Sequence, residues 1–180
     1  MPVAPAVELD NALWHFVLPF YAREGVSPAC LTLQDRLGVD VNVLLLAIFA
    51  QVERGITLDE GDLATADQLV QGWRAEVIQP LRRVRIRLKA GPSPAPSPAT
   101  ENLRNRVKAA ELEGEQVALA VLAAWLDAQP AREADPLTEK NIALAVARHF
   151  HAGTFAPEVE AALATLSQAV REARAAKHQH

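Results

Sequence analysis

Apolar residues along most of the chain recur three and four positions apart, which is the spacing of one face of an α-helix. In the first such stretch the stripe is formed by Leu13, Phe16, Val17 and Phe20. Together with capping residues and prolines, the pattern predicts about seven helices, over residues 10–25, 27–38, 40–55, 59–89, 101–128, 135–153 and 157–176. No segment is predicted to be a strand, so the predicted fold class is all-α, a compact helical bundle.

The third predicted helix is the most apolar part of the chain. Its sequence is VNVLLLAIFAQV, residues 41–52. Periodicity alone would also fit a buried strand, but the length and the flanking boundary residues Asp40 and Gly55 favour a helix. A helix that is apolar on every side is buried on every side. We therefore expect this helix at the centre of the bundle.

A proline-rich segment divides the chain. Residues 90–100 contain GPSPAPSPAT, which is typical of an extended, solvated linker. The segment separates an N-terminal helical bundle, residues 10–89, from C-terminal helices, residues 101–176. Because the C-terminal helices are amphipathic rather than self-sufficient, we expect them to dock on the first bundle and complete a single domain. The tail from residue 171 onwards is expected to fray.

Composition and charge indicate an ordinary soluble protein. The chain has 180 residues, 50% hydrophobic and 22% charged, with a net charge of −4. Residues 1–90 and 91–180 each hold 9 basic and 11 acidic residues, so neither half has a global field for nucleic acid. The single cysteine, Cys30, permits no internal disulfide, and no secretory signal or membrane span is predicted. These features favour a cytoplasmic location.

Polar residues at the junction of the second and third helices, with part of the aromatic first helix, form one candidate ligand-binding site. The candidates are Trp14, His15, Tyr21, Gln34, Asp35, Asp40 and Asn42. The structural alternative is that Asp40 caps the third helix and the aromatic residues pack in the core. On the ligand-binding hypothesis the polar side chains converge on one pocket, where the site would bind a small ligand or carry an enzymatic reaction.

A run of basic residues forms a second candidate site, for nucleic acid or another polyanion. Its members are Arg82, Arg83, Arg85, Arg87 and Lys89. A membrane-surface helix with Leu81, Val84 and Leu88 as its inserted face is one alternative. The other is a solvated face whose arginines pair with Glu111, Glu113 and Glu115. No aromatic residue lies within the run, which weakens stacking on single-stranded nucleic acid.

Catalytic and metal-binding patterns are weak. Glu111 and Glu115 share a helix face, but no Glu-x-x-His pattern accompanies them. His149 and His151 are two apart and point to different sides of a helix, and His178 with His180 lies in the tail. The sequence has no phosphate-binding glycine loop and no nucleophile or zinc motif. We therefore assign no catalytic residue, no metal site and no cofactor.

Several motifs carry a family resemblance. They are LWHF at 13–16, ACLTLQD at 29–35, DVNVLL at 40–45 and WRAEVIQPLRRVRIRLK at 73–89. By these residues, the stretch from about 10 to 90 resembles an uncharacterised proteobacterial family of small helical proteins, a domain of unknown function. The resemblance implies an all-helical cytoplasmic protein and brings no activity to any residue.

Three functional hypotheses follow. The first is a non-enzymatic interaction or accessory protein, whose partner is another protein. The second is a binder of nucleic acid or another polyanion through the basic helix at 82–89. The third is a small-ligand or enzymatic site near Asp35, Asp40 and Asn42.

Overall fold

A computed structural model describes residues 7–130 and 141–177 and confirms the all-α fold class. The elements are α1 (Ala12–Tyr21), α2 (Val26–Leu37), α3 (Val41–Glu53), α4 (Glu60–Trp73), a π-helical turn (Arg74–Ile78), α5 (Gln79–Ala90), α6 (Pro98–Asp127), α7 (Ile142–Phe150) and α8 (Pro157–Lys177). No strand occurs in the described ranges. Because α4, the π turn and α5 are continuous, these ranges contain seven separate helical rods, the number that the pattern predicts. The predicted helix start at Asp135 lies outside them.

Side-chain caps set several helix starts. Asp40 begins α3 as predicted, since its Oδ1 accepts from the backbone N–H groups of Asn42 at 2.7 Å and Val43 at 3.2 Å. The first helix, predicted from residue 10, begins at Ala12 with Asn11 as its cap, because the Asn11 side chain accepts from the third backbone N–H of the helix. Observed helix starts therefore differ from the predicted ones by a residue or two where neighbouring residues could both cap the helix.

The end of the proline-rich segment is helical rather than extended. Helix α6 begins at Pro98, ahead of the start predicted after Thr100. Ser97 and Thr100 form a capping box, each side chain bonding the backbone N–H of the other. Proline is tolerated in the first helical turn because it lacks only an N–H that the helix leaves unpaired. What remains, residues 91–97, connects α5 to α6, and the two helices pack against each other.

Helix α3 lies in the middle of the core. Every residue from Asn42 to Val52 is buried, and α1, α2, α4, α6, α7 and α8 all contact the helix. The buried cluster around it includes Leu122 of α6 and Leu166 of α8. Residues from both sides of the proline-rich segment therefore contribute to one contiguous hydrophobic cluster.

The C-terminal helix is anchored on the end of α3. Val170 and Ala173 are buried, and the Lys177 Nζ donates to the backbone carbonyls of Val52 and Glu53. A lysine at this position satisfies carbonyl groups that the end of a helix leaves unpaired. Helix α8 consequently extends to Lys177, although fraying is predicted from residue 171.

Candidate functional site

The two helices that flank the proline-rich turn project from the bundle. We call residues 79–110 the arm; it consists of α5, the turn at 91–97 and α6 as far as Ala110. Within it Gly91 alone is buried, and the buried positions of α6 begin at Glu111. Helix α5 has no buried residue and packs along α6 and the preceding π turn. The arm is therefore a helical hairpin that presents most of its surface to solvent.

The arm concentrates the positive charge of the protein. Its basic residues are Arg82, Arg83, Arg85, Arg87, Lys89, Arg104, Arg106 and Lys108, against one acid, Glu101, which gives a net charge of +7. The whole chain carries 18 basic and 22 acidic residues, so the remainder, which we call the body, carries 10 basic and 21 acidic residues and a net charge of −11. The two halves of the sequence thus carry equal charge, whereas the arm and the body carry opposite charge.

The sequence-based prediction found only the α5 part of this basic surface. It did not identify Arg104, Arg106 and Lys108, which lie on α6 beyond the prolines. Because the arm straddles the midpoint of the chain, a count by halves divides its charge between them and hides it. A count over the two helices on either side of the turn would have found all eight cations.

A polar cluster, which we call the root, holds the base of the arm to the body. Its central side chain is Arg82, whose guanidinium donates to Glu111 at 2.9 Å, to Glu115 at 2.6 Å and to Gln34 at 2.7 Å. Arg85 donates to both carboxylate oxygens of Glu111. Two of the five predicted polyanion-binding residues therefore have partners inside the protein, as the solvated-face alternative described.

The two glutamates of the root have opposite pKa shifts. Burial by itself would raise the pKa of Glu111, but the hydrogen bonds from Arg85 and Arg82 outweigh it and the pKa is lowered. Burial raises the pKa of Glu115, and the hydrogen bond from Asn42 and the charge of Arg82 do not offset this. The root thus contains one carboxylate that the fold stabilises in its charged form and one that it does not.

A second ion cluster fixes the turn from which the arm departs. Arg74 donates to Asp40 and, at 2.7 Å, to Asp67, and these bonds raise the pKa of Arg74 although burial alone would lower it. The indole N–H of Trp73 donates to the backbone carbonyl of Gly114 at 2.9 Å. Both contacts lie at the π turn, and they join α4 to α3 and α6. The direction of the arm is therefore set by bonds at its origin.

The structure brings together some of the predicted ligand-binding residues and separates others. Gln34 and Asn42 meet through Arg82 and Glu115. Tyr21 lies near enough for the Glu115 and Arg82 charges to affect its pKa, which burial raises.

The other four predicted ligand-binding residues form no hydrogen bond with the side chains of Arg82, Glu111 or Glu115, although the charge of Asp40 helps to raise the pKa of Glu115. His15 is exposed and its Nε2 is 2.8 Å from Asp10, while Asp35 is exposed on α2. Trp14 is half-buried against the core, and Asp40 is occupied as the cap of α3 and the partner of Arg74. The root is therefore a smaller and more internally paired cluster than the proposed pocket.

Five cations of the arm face solvent: Arg83, Arg87, Lys89, Arg106 and Lys108. Arg104, by contrast, pairs with Glu101 at 2.6 Å, one turn earlier in α6. Across the described residues, none of the five forms an ion pair with an acidic side chain, whereas Arg82 and Arg85 both do. These five side chains are available to an external ligand.

Neither a metal-chelating cluster nor a membrane-spanning helix is found among the described residues. In residues 7–130 and 141–177, no group of three or more histidine, cysteine, aspartate and glutamate side chains is placed to hold a metal ion. In the same ranges, no helix combines the length and the apolar character needed to cross a bilayer.

Fold and site together define a small all-α protein with a buried central helix and a basic helical arm. Residues 12–122 match the model of a family described as a protein of unknown function, DUF2390. Because the match covers more than half of the chain, the protein belongs to this family, which confirms the resemblance to an uncharacterised family. The matched range includes the whole arm and the root. Neither a search of curated proteins nor a search of solved structures gave a match.

Proposed function

We propose that this protein is a non-enzymatic interaction protein that binds a polyanionic partner through its arm. The observation that carries the proposal is the set of five exposed cations on a projecting hairpin, none of which is paired with an acidic side chain in the described residues. Exposed cations without acidic partners attract a negatively charged partner and raise the rate at which it associates. The acidic body repels the same partner, which directs the contact to the arm.

The chemistry of the root supports a binding role rather than catalysis. Its charged groups are engaged with one another: Arg82 and Arg85 with Glu111, and Arg82 with Glu115. A catalytic acid or base needs a proton-transfer partner in a substrate that reaches it. The thiol of Cys30 is buried, and burial raises its pKa to about 12, so it is a poor nucleophile. We therefore assign the root a structural role, that of holding the arm.

The free thiol also supports a cytoplasmic location for this interaction. Cys30 is the one cysteine of the chain, and it is buried and unpaired. Reducing compartments keep thiols in this state, whereas small secreted domains more often use disulfides.

The test is retention of the full-length protein on immobilised heparin, a general polyanion. Two variants with equal loss of positive charge are compared. The arm variant carries Arg83→Gln, Arg87→Gln and Lys89→Gln. The body variant carries Arg36→Gln, Arg148→Gln and Arg171→Gln, all at exposed positions outside the arm. We expect the wild type and the body variant to bind at low salt and elute together, and the arm variant to elute at much lower salt. Equal elution of the two variants, or a wild type that is not retained, would refute the proposal.

A further inference from the structure

We infer that the polyanion bound by the arm is double-stranded nucleic acid, held through its phosphates without readout of base sequence. This inference rests on the proposed function and names the class of partner. It is carried by the residue types on the arm, by where the helices place them, and by the opposite charge of the body.

The charge spacing on the arm suits a duplex backbone. Helix α5 has 12 residues, which corresponds to a length of about 18 Å. Double-stranded DNA presents about one negative charge for every 1.7 Å of its axis, counted over both strands, so a duplex segment of this length carries about ten phosphates around its circumference. Arg83 and Arg87 lie four positions apart on one side of α5, where both can contact phosphates of one duplex. Asn102 and Asn105, both exposed on α6, add neutral donors of the kind that bond phosphate and sugar oxygens.

The arm lacks the residues that other partners require. Residues 79–110 contain no phenylalanine, tyrosine or tryptophan. Protein interfaces are enriched in aromatic anchors at their centres and depleted in lysine, whereas two of the five exposed cations are lysines, Lys89 and Lys108. Single-stranded nucleic acid is gripped mainly by stacking of bases on aromatic rings. Binding to the phosphate backbone of a duplex needs neither aromatic anchors nor base stacking.

A lipid surface fits the arm less well than a duplex does. The most exposed apolar residues of α5 are Val84 and Ile86, with 47% and 55% of their surface accessible. These residues are two positions apart, so they point to nearly opposite sides of the helix and cannot enter one lipid surface together. Arg83, Arg85 and Arg87 alternate with them along the chain. An inserting helix needs a continuous apolar face, which α5 does not offer to solvent.

The acidic body limits the contact to the arm. The described residues of the body, 7–78, 111–130 and 141–177, carry a net charge of −10, and the arm carries +7. A duplex that approaches the body is repelled, and one that approaches the hairpin is attracted, so the protein meets nucleic acid through the arm alone. Few phosphates are contacted in this arrangement, and binding is correspondingly weak and sensitive to salt.

Fluorescence anisotropy with a labelled mixed-sequence DNA duplex of about 20 base pairs, over about 50 to 200 mM salt, tests the inference. Each phosphate contact contributes about −0.9 to the slope of log K against log salt, so contacts from all five cations set its limit at about −4.5. The arm variant removes up to three contacts and should reduce the magnitude of the slope by about 2 to 3, equally for two duplexes of unrelated sequence. The body variant, which loses the same charge, should keep the wild-type slope.

Three further probes distinguish binding of a duplex from binding of other polyanions. A single strand of equal length, poly-L-glutamate, and vesicles of equal parts phosphatidylglycerol and phosphatidylcholine are measured with the same variants. Tightest binding to the duplex, lost in the arm variant, supports the inference. Binding of poly-L-glutamate, the single strand or vesicles that needs the arm, without duplex binding, overturns it and leaves the proposed function intact. If the arm variant matches the wild type with every probe, both proposals fail.

Discussion

Helix α3 and the arm are both helical, yet their surroundings are opposite. From Asn42 to Val52 every residue of α3 is buried, whereas between residues 79 and 110 only Gly91 is. The buried stretch of α3 contains no ionisable side chain, while the arm contains nine. Burial of apolar surface is the main favourable term in folding, so α3 contributes stability that the arm does not. The arm contributes an exposed charged surface, and the root keeps that surface in place.

The largest predicted difference between α3 and the arm is the loss of stability when a leucine is truncated to alanine. Leu46 of α3 is fully buried, and Leu46→Ala should lower the free energy of unfolding by about 3 kcal/mol, because it removes apolar contacts and leaves a cavity. The same truncation on the arm, Leu103→Ala, is the matched control. Leu103 is 48% exposed, so the loss there should be at most about 0.5 kcal/mol. Urea denaturation followed by circular dichroism measures both. Equal losses would mean that the arm is packed as tightly as the core.

The second prediction concerns the root. Glu111→Gln removes the charge that accepts hydrogen bonds from Arg82 and Arg85, and it should cost about 2 kcal/mol at neutral pH. Since the folded pKa of Glu111 lies below its ordinary value of 4.5, the carboxylate stabilises the wild type above that value. This contribution is lost as pH falls through the folded pKa. The cost of the substitution, measured by urea denaturation at several pH values, should therefore be full above pH 4.5 and shrink below it. A cost that does not change with pH would contradict the assignment.

The third prediction concerns Glu115, one helical turn after Glu111 on α6, and the expected change in stability has the opposite sign. Burial raises the folded pKa of Glu115 above 4.5, so the wild type loses stability as pH rises from 4.5 through that folded pKa. Glu115→Gln resembles the protonated form, and at neutral pH it should stabilise the protein by up to about 1 kcal/mol. At pH below 4.5 it should have little effect. Comparison with Glu111→Gln under identical conditions provides the control, because the two curves should diverge with rising pH.

The difference between the two regions also explains what the sequence could predict. The character of α3 follows from local composition and from the cap at Asp40, both of which are visible within a dozen residues. Pairing of the arginines with glutamates was one of the alternatives, and the structure realises it for Glu111 and Glu115 but leaves Glu113 exposed. The clustering of all eight cations depends on α5 packing against α6 across the prolines. That contact is tertiary, and no local periodicity reports it.

The contacts of Gln34 with Arg82 and of Asn42 with Glu115 could not be inferred from local sequence either. The two pairs are 48 and 73 residues apart in sequence, and only the tertiary fold closes those distances. A sequence shows that a buried polar group needs a partner but does not name the partner. This is why the candidate ligand-binding set includes His15 and Asp35, whose side chains the structure leaves exposed.

The smallest predicted effect tests whether the cations of the arm stabilise the fold. Arg83 and Arg87 lie four positions apart on α5, both exposed, so their like charges repel along one helix face. Arg83→Gln removes this repulsion and should raise the free energy of unfolding by about 0.3 kcal/mol at low salt, with the gain vanishing at high salt. Thermal unfolding at two salt concentrations measures it, with Arg148→Gln on the body as the control for loss of one charge. The same substitution should weaken binding to heparin. Cations that slightly destabilise the folded chain yet increase its affinity for a polyanion serve the ligand rather than the fold. A loss of stability at low salt would instead show that Arg83 helps to hold the arm together.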